Sequence, residues 1–276
     1  MAGKETPRKR PRIGLVLGAG SARGLAHIGV LQVFLEQKIP FDFIVGSSMG
    51  ALVGALYAAG SDLYLLEKLT RHMNPNSLLD VRIPRMGFIS GRKVQELIHL
   101  LTKGKRFEEL SLPVAVVATD VRSGNRVVLN TGVVSEAVRA SISIPGVFIP
   151  VERDGMLLVD GAVTDRLPIE VARDMGAERV IAVDVTFAEE KQPRVNNAIH
   201  VILASIEILE RQIFTGLVKP RADILIQPRL GNIGSANFER AAECILAGRE
   251  AALAKLPEIQ AALVCGAQDK NTGEVV

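Results

Sequence analysis

The sequence predicts an α/β domain of three layers, with a mostly parallel sheet between helices, and three observations carry that prediction. Short apolar runs that read as buried strands alternate with longer helical stretches through most of the chain. Two early runs pass into glycine-bearing turns that open helices: Ile13–Leu17 into Gly18-Ala19-Gly20-Ser21-Ala22-Arg23-Gly24, and Phe41–Val45 into Gly46-Ser47-Ser48-Met49-Gly50. No repeat, linker or low-complexity block divides the 276 residues, so one domain with one large core is the economical reading.

Taken in order, Ile13–Leu17 is a buried first strand, and a helix from about Leu25 to Gln37 follows its glycine turn. Strand, glycine turn and helix together present backbone N–H groups to an anion. A dinucleotide fold uses the same device. Here the third glycine is displaced to Gly24, and the next strand ends in Gly46 rather than in an acid that could hold a ribose. The other reading is that the loop aims its amides at the neighbouring turn, since adjacent parallel strand ends open on the same side of a sheet.

That neighbouring turn is G-x-S-x-G between an apolar strand and an alanine- and leucine-rich helix, the pattern of a nucleophile elbow. A serine on so tight a turn leaves no room for side chains two residues either way, so Gly46 and Gly50 flank Ser48. Its hydroxyl stands at the start of a helix, where free N–H groups and the dipole favour negative charge. Two plainer readings compete. Phe43 to Ser61 carries no formal charge and Gly50-x-x-x-Gly54 fits a helix-pairing face, which would suit a membrane span; a packed core helix without chemistry is the other. Four glycines, two adjacent serines and the flanking Asp42 and Asp62 favour the soluble turn.

From Asp62 to about Thr102 come amphipathic helical pieces, broken at Asn74-Pro75-Asn76 and Ile83-Pro84-Arg85-Met86-Gly87, with Ser90 as N-cap of a helix from Gly91 to Leu101. This middle segment reads as a structural connection, with a wall or lid over the crevice as the alternative. Pro113–Thr119 is a buried strand ending at Asp120, and Arg126–Asn130 pairs with it across Ser123-Gly124-Asn125. A helix from Val133 to Ala140 leads to Ser141-Ile142-Ser143-Ile144-Pro145-Gly146. Phe148–Glu152 and Met156–Val159 are strands joined by Asp154-Gly155, and they deliver Asp160-Gly161-Ala162. Asp160 closes an apolar run, a poor place for mere solvation; capping the next turn is its plain alternative. A helix near Pro168–Met175, a strand Arg179–Val185, a helix from about Ala198 to Leu217, a strand Asp223–Ile226 and a helix from Phe238 to about Ala262 complete the alternation.

Composition narrows the partners. Aromatic residues are 4% of the chain with no Trp, which argues against base-stacking platforms for single-stranded nucleic acid, and no nucleic-acid partner is expected. Lys4, Arg8, Lys9, Arg10 and Arg12 against Glu5 give the first twelve residues +4 of a formal net charge of +3, so everything after them sums to −1. Residues 1–12 therefore read as a basic, disordered, solubilising leader, with peripheral contact to anionic lipid at the inner face of the membrane as the alternative. The apolar run after the leader is soon interrupted by Arg23 and has strand character, so it is not read as an export signal. Cys244 and Cys265 read as packing thiols in a reducing, cytoplasmic compartment. His27, His72 and His99 read as packing or surface residues, and no H-E-x-x-H or clustered metal spacing exists.

The glycine loop from Gly18 to Gly24, the elbow from Gly46 to Gly50 and Asp160-Gly161-Ala162, in this order and spacing, resemble the patatin-like phospholipases, bacterial branch, close to the lysophospholipase domain of neuropathy target esterase. The run Arg23 to Leu31 is similar to that branch in particular, and Ala140-Ser141-Ile142-Ser143-Ile144-Pro145 to its A-S-x-x-x-P segment. By motif the resemblance covers about Ile13 to Pro168. It implies a three-layer α/β/α patatin-like fold across residues 13–276, a Ser-Asp dyad, no metal or other cofactor for the chemistry, and hydrolysis of acyl esters of phospholipids, lysophospholipids or related lipids. Ala19 and Ser21 stand where the family often has glycine, and D-G-A replaces D-G-G, a variant the family also tolerates.

On that resemblance Ser48 Oγ is the nucleophile and Asp160 its general base. A carboxylate is a weak base for an alcohol, with an ordinary pKa of ~3.9 against ~6.5 for imidazole. The site is therefore expected to raise the Asp160 pKa with an apolar wall and to stabilise the oxyanion strongly. The expected donors are the amides of Gly20, Ser21, Ala22 and Met49. Gly18, Arg23 and Gly24 are expected around the substrate anion, with Arg23 holding the loop or offsetting a phosphate. An acyl-enzyme at Ser48 and its hydrolysis by water follow. Two alternatives stand beside this. Ser48 with Asp160 or Asp184 and His200 has the chain order of an α/β-hydrolase triad, although too few strands precede Ser48 and His200 sits in a helical stretch. From another class, a lipid-binding or regulatory protein could retain the pocket without turnover.

Overall fold

In the computed structural model the described residues are 10–72, 75–78, 80, 87–186, 201–202, 204–206, 208–209 and 222–264. The leader as far as residue 9, His200, Cys265 and most of the helix expected over 198–217 lie outside them.

The strands are β1 (Ile13–Leu17), β2 (Phe43–Ser47), β3 (Gly87–Ile89), β4 (Val114–Asp120), β5 (Asn125–Leu129), β6 (Gly146–Phe148), β7 (Val151–Arg153), β8 (Met156–Asp160), β9 (Arg179–Val183) and β10 (Ile224–Ile226). The helices are α1 (Ala26–Glu36), α2 (Met49–Ala58), α3 (Leu63–His72), α4 (Arg92–Leu101), α5 (Val134–Ser141), α6 (Ile169–Asp174) and α7 (Ala241–Val264). The main sheet runs β10-β9-β1-β2-β4-β8-β7, with β5 also paired to β4, while β3 and β6 form a separate parallel pair. From β10 to β4 every pairing is parallel; β5, β8 and β7 add antiparallel ones.

The three layers follow from strand alternation. Leu15, Leu17, Ile44, Val116, Ile181 and Val183 face a core shared with α1, α2, α5 and α7. Val16, Phe43, Val45, Ala115, Val117, Val180 and Ala182 face the opposite side, where Ile169, Val171 and Ala172 of α6 close a smaller core. Strands buried on both faces need continuous apolar runs, and β1, β2 and β4 are buried at every position. The uncharged stretch read as a possible membrane span is β2, its turn and α2, and no helix among the described residues is long and apolar enough to cross a membrane.

Three local expectations are corrected. Pro150 lacks an N–H and splits the strand expected over Phe148–Glu152 into β6 and β7. Ser90 stands one residue before the N-cap of α4, and its Oγ accepts the Arg92 N–H only at 3.4 Å. Gly91 holds that position, and the Asp80 carboxylate accepts from the Gly91 and Arg92 amides at 2.8 and 3.0 Å. Arg10 and Arg12, expected in the leader, are held by the body: Arg10 pairs with Asp42 at 2.7 Å and the Arg12 guanidinium lies over the Phe43 ring.

Arg139 ties the middle segment to this body. It is 2% exposed, donates to Ser90 O at 2.8 Å, Ile149 O at 2.9 Å and Ser143 Oγ at 2.5 Å, and sits over the Phe148 ring. Burial pulls its pKa down to about 10, which leaves it charged at neutral pH. Arg139→Met would leave the Ser90 and Ile149 carbonyls without this donor, while Ser143 Oγ keeps its bond to the Arg139 carbonyl, at an expected cost of ~3 kcal/mol, seen as a lower urea midpoint with an unchanged m-value.

Candidate active site

β4 is the element that brings the two halves of the site together. Its Val116 and Val117 pair with β2 on one edge and β5 on the other, and its Ala118 pairs with β5 and with Asp160 of β8. β2 and β8 therefore share one edge, β2 ending at Ser47↔Val117 and β8 beginning at Asp160↔Ala118. The chain turns away beside that junction at Gly161, where a Cβ would stand 2.2 Å from the Val117 carbonyl oxygen. D-G thus means an acid at a strand end followed by the one residue that can pass.

Ser48 stands at the N-cap of α2 with φ 51° and ψ −121°, a strained conformation for a residue with a side chain. The turn closes because Gly50 lets α2 approach β1: a Cβ there would lie 2.1 Å from the Leu17 carbonyl oxygen. Ser48 Oγ donates to Asp160 Oδ2 at 2.6 Å, and the two residues are 5% and 3% exposed. Asp160 Oδ1 accepts from the Ala162 amide at 2.9 Å, so the capping reading and the chemical one are met by different oxygens of one carboxyl. Burial raises the Asp160 pKa to about 7, against the lowering effect of the Ser48 and Ala162 hydrogen bonds.

Ser48 and Asp160 line a cavity with Ala19, Gly20, Ser21 and Arg23 of the glycine loop. Ile144, Pro145, Ala162, Val163 and Ile206 supply an apolar wall. No hydrogen bond among the described residues engages the amides of Gly20, Ser21 or Met49; Gly20 and Ser21 line the cavity, and Met49, the first residue of α2, does not. Ala22 is a correction: its N–H donates to Ser235 O at 3.1 Å, which removes it from the donor set. Gly18 and Gly24, expected around the substrate anion, do not line the cavity. The Gly18 amide is bound to Val183 O at 3.0 Å, and Gly24 makes room for the Met49 side chain, which a Cβ would meet at 2.4 Å. Arg23 donates through Nε to Ile233 O at 2.7 Å, a contact that holds the loop.

Behind the loop lies a network that sequence reasoning missed. Arg166 pairs with Asp184 at 2.6 Å with both side chains almost fully buried, the Arg166 carbonyl accepts the Ala19 N–H at 2.9 Å, and Thr186 Oγ1 donates to Ala19 O at 3.2 Å. The signal available was one charge before the apolar run at Leu167 and another after β9. Among the described residues Asp184 pairs with Arg166 and with no histidine; His200 lies outside them. His27, fully buried with its pKa lowered to about 4 by burial, is neutral, so Nε2–H donates to Gly18 O at 2.8 Å. Cys244 is a buried thiol with its pKa pushed up to about 11 by burial. The middle segment contributes no described residue to the cavity wall.

Chemically, the arrangement offers an alcohol hydrogen-bonded to a carboxyl of near-neutral pKa, in a cavity that Gly20 and Ser21 also line, beside an apolar wall. Comparison with known proteins bears on what such a site serves. The family model described as patatin-like phospholipase matches residues 15–173. An uncharacterized NTE family protein of Mycobacterium tuberculosis is 39% identical over 181 residues, covering 65% of this chain and 50% of that protein. Patatin-like phospholipase domain-containing protein 6 of Homo sapiens is 36% identical over 186 residues, covering 64% of this chain and 14% of that protein. Lysophospholipase NTE1 of Cryptococcus neoformans is 35% identical over 189 residues, covering 66% and 12%. The aligned part thus spans half or less of these curated relatives. Among solved structures, VipD from Legionella pneumophila matches with a TM-score of 0.65 at 14% identity, over 91% of this chain and 67% of that one. The type III effector protein ExoU matches at 0.51, also at 14% identity, over 91% and 53%; at that identity both likenesses concern the fold alone.

Proposed function

This chain belongs to the patatin-like phospholipase family, and from that premise we propose that it is a serine acyl hydrolase cleaving acyl esters of lysophospholipids or related lipids through Ser48 and Asp160. The observation that carries the proposal is the buried 2.6 Å hydrogen bond from Ser48 Oγ to Asp160 Oδ2. The lysophospholipid class is taken from the name of the Cryptococcus relative.

In the proposed sequence Ser48 Oγ attacks the ester carbonyl carbon while Asp160 takes its proton. The oxyanion forms against the amides of Gly20, Ser21 and Met49, where one donor is worth about 2.7 to 4 kcal/mol. The leaving alkoxide takes the proton back from Asp160, which leaves the acyl group on Ser48. Water, deprotonated by Asp160, then releases the fatty acid. The acyl chain runs along Ile144, Pro145 and Ile206. Arg23 keeps the loop in place from its carbonyl anchor.

Turnover of p-nitrophenyl acyl esters and labelling of Ser48 by a fluorophosphonate test the proposal. A folded protein that neither labels nor turns over would be a lipid binder instead, and a large loss of activity in His200→Ala would restore the histidine triad. The pH profile carries a sharper expectation. Asp160 accepts a proton only as carboxylate, and its pKa of about 7 puts the loss of that form below neutrality. kcat/KM should be flat above about pH 7 and fall tenfold per unit below it. A limb centred near the ordinary carboxylate pKa of ~3.9 would show that the base is not the buried group.

A further inference from the structure

The A-S-x-x-x-P segment has so far been given no task, and its first serine lies against the elbow. Ser141 is fully buried at the end of α5. Its Oγ accepts the Ser48 N–H at 2.9 Å and donates to the Val117 carbonyl at 2.6 Å. Val117 is the β4 residue that pairs with Ser47, one position before the junction where Asp160 joins the same edge. One hydroxyl therefore joins the backbone of the nucleophile to the strand that carries its base.

We propose that Ser141 is a positioning residue: by holding the Ser48 amide against β4, it keeps the strained elbow in the conformation that aims Oγ at Asp160. The inference rests on the reading of Ser48 and Asp160 as the reacting pair. A residue at φ 51° persists only where its surroundings over-determine it. The Asp160 carboxyl is held by the Ser48 hydroxyl and the Ala162 amide, and its backbone by its N–H donating to Ser143 O at 2.9 Å and by Thr119 Oγ1 donating to its carbonyl at 3.0 Å. The Ser48 carbonyl accepts the Leu52 N–H at 3.1 Å within α2, while the Ser48 N–H, on the strand side of the elbow, is held by Ser141. The same bond commits the Ser48 N–H and takes it out of any oxyanion donor set.

Ser141→Ala removes the acceptor without filling the space. The elbow is then free to relax, and attack requires Oγ within a few tenths of an ångström of its place. Ser135→Ala is the control: Ser135 is equally buried on the same helix, and its hydroxyl meets His99 Nδ1 at 3.3 Å, away from the site. In wild type, Ser141→Ala, Ser141→Thr and Ser135→Ala, the quantities to compare are kcat, KM, the rate constant of fluorophosphonate labelling, and the melting temperature. The expectation is a fall of 10- to 100-fold in kcat and in labelling rate for Ser141→Ala, with KM within twofold, restoration of most of the rate by Ser141→Thr, and kcat within twofold of wild type for Ser135→Ala. Equal kcat in Ser141→Ala and wild type overturns the proposal, as does an equal loss in Ser135→Ala. Should the Ser141 variants not fold, amide exchange of wild type decides: protection of Ser48 well above that of Gly20 and Ser21 supports the bond, and equal exchange overturns it. Wild-type turnover and labelling are recorded in the same series. Their absence, or activity surviving in Ser48→Ala, sinks the reading of the site rather than the role of Ser141.

Discussion

Ser48→Ala will lose at least ~10⁴-fold in kcat on acyl esters, and Asp160→Asn will lose a comparable factor, because each removes a member of a pair that acts as a unit. The two losses differ in kind. Without the Ser48 hydroxyl no acyl-enzyme can form, so labelling disappears along with turnover. Asp160→Asn keeps the shape of the site: an amide oxygen can still accept from Ala162 N–H, and Ser48 keeps a polar neighbour. What it cannot do is take the Ser48 proton. Slow labelling by a very reactive fluorophosphonate is therefore compatible with this variant, while ester turnover is not. The double variant should be no worse than Ser48→Ala, since the remaining carboxyl has no hydroxyl to activate. Active-site titration with kcat and KM on p-nitrophenyl esters makes the measurement. An Asp160→Asn enzyme retaining a tenth of the wild-type kcat would mean that the proton leaves Ser48 by another route.

How much of this was legible in the sequence depends on the range of the force that fixes each feature. The elbow was legible because its cause is local: Gly46, Ser48 and Gly50 answer to one turn and to the close approach of α2 to β1. The sheet was legible for the same reason, through runs such as Ile13–Leu17 and Val114–Asp120 that must be buried on both faces. Asp160 could be singled out as an ill-placed acid, but its contact with Ser48, 112 positions away, comes from two strands sharing an edge of β4, which no window of sequence contains. The donor set failed at Ala22 for a parallel reason, since its N–H is taken by Ser235, far along the chain. Ser90 looked like an N-cap on local grounds, and Asp80, ten residues earlier, supplied the capping oxygens. The Arg166–Asp184 pair is the extreme case: Asp184 could be singled out only as an acid at a strand end, nothing near Arg166 pointed to it, and the fold buries the two together behind the glycine loop.

The site should also weigh on stability, with a sign opposite to its value for chemistry. Asp160 has an ordinary pKa of 3.8 in the unfolded chain and about 7 in the fold. Between those values the native state holds a proton that the unfolded state has released. The group's contribution to stability is therefore complete below about pH 4 and is lost as pH rises through about 7. At pH 8 the fold carries a buried carboxylate, at a cost of roughly 4 kcal/mol. Asn has the same shape and no charge to desolvate. Asp160→Asn should consequently be more stable than wild type at pH 8 by several kcal/mol, and by only about 1 to 2 kcal/mol at pH 5. Urea midpoints of the two proteins at pH 5, 6, 7 and 8 test this, and other titrating groups cancel because both chains share them. A gap that stays constant with pH would mean that Asp160 is solvated in the fold, and would remove the physical basis for its acting as a base near neutrality. A gap that widens toward pH 8 while turnover is lost would show one carboxyl held at a cost to the fold because the reaction needs it there.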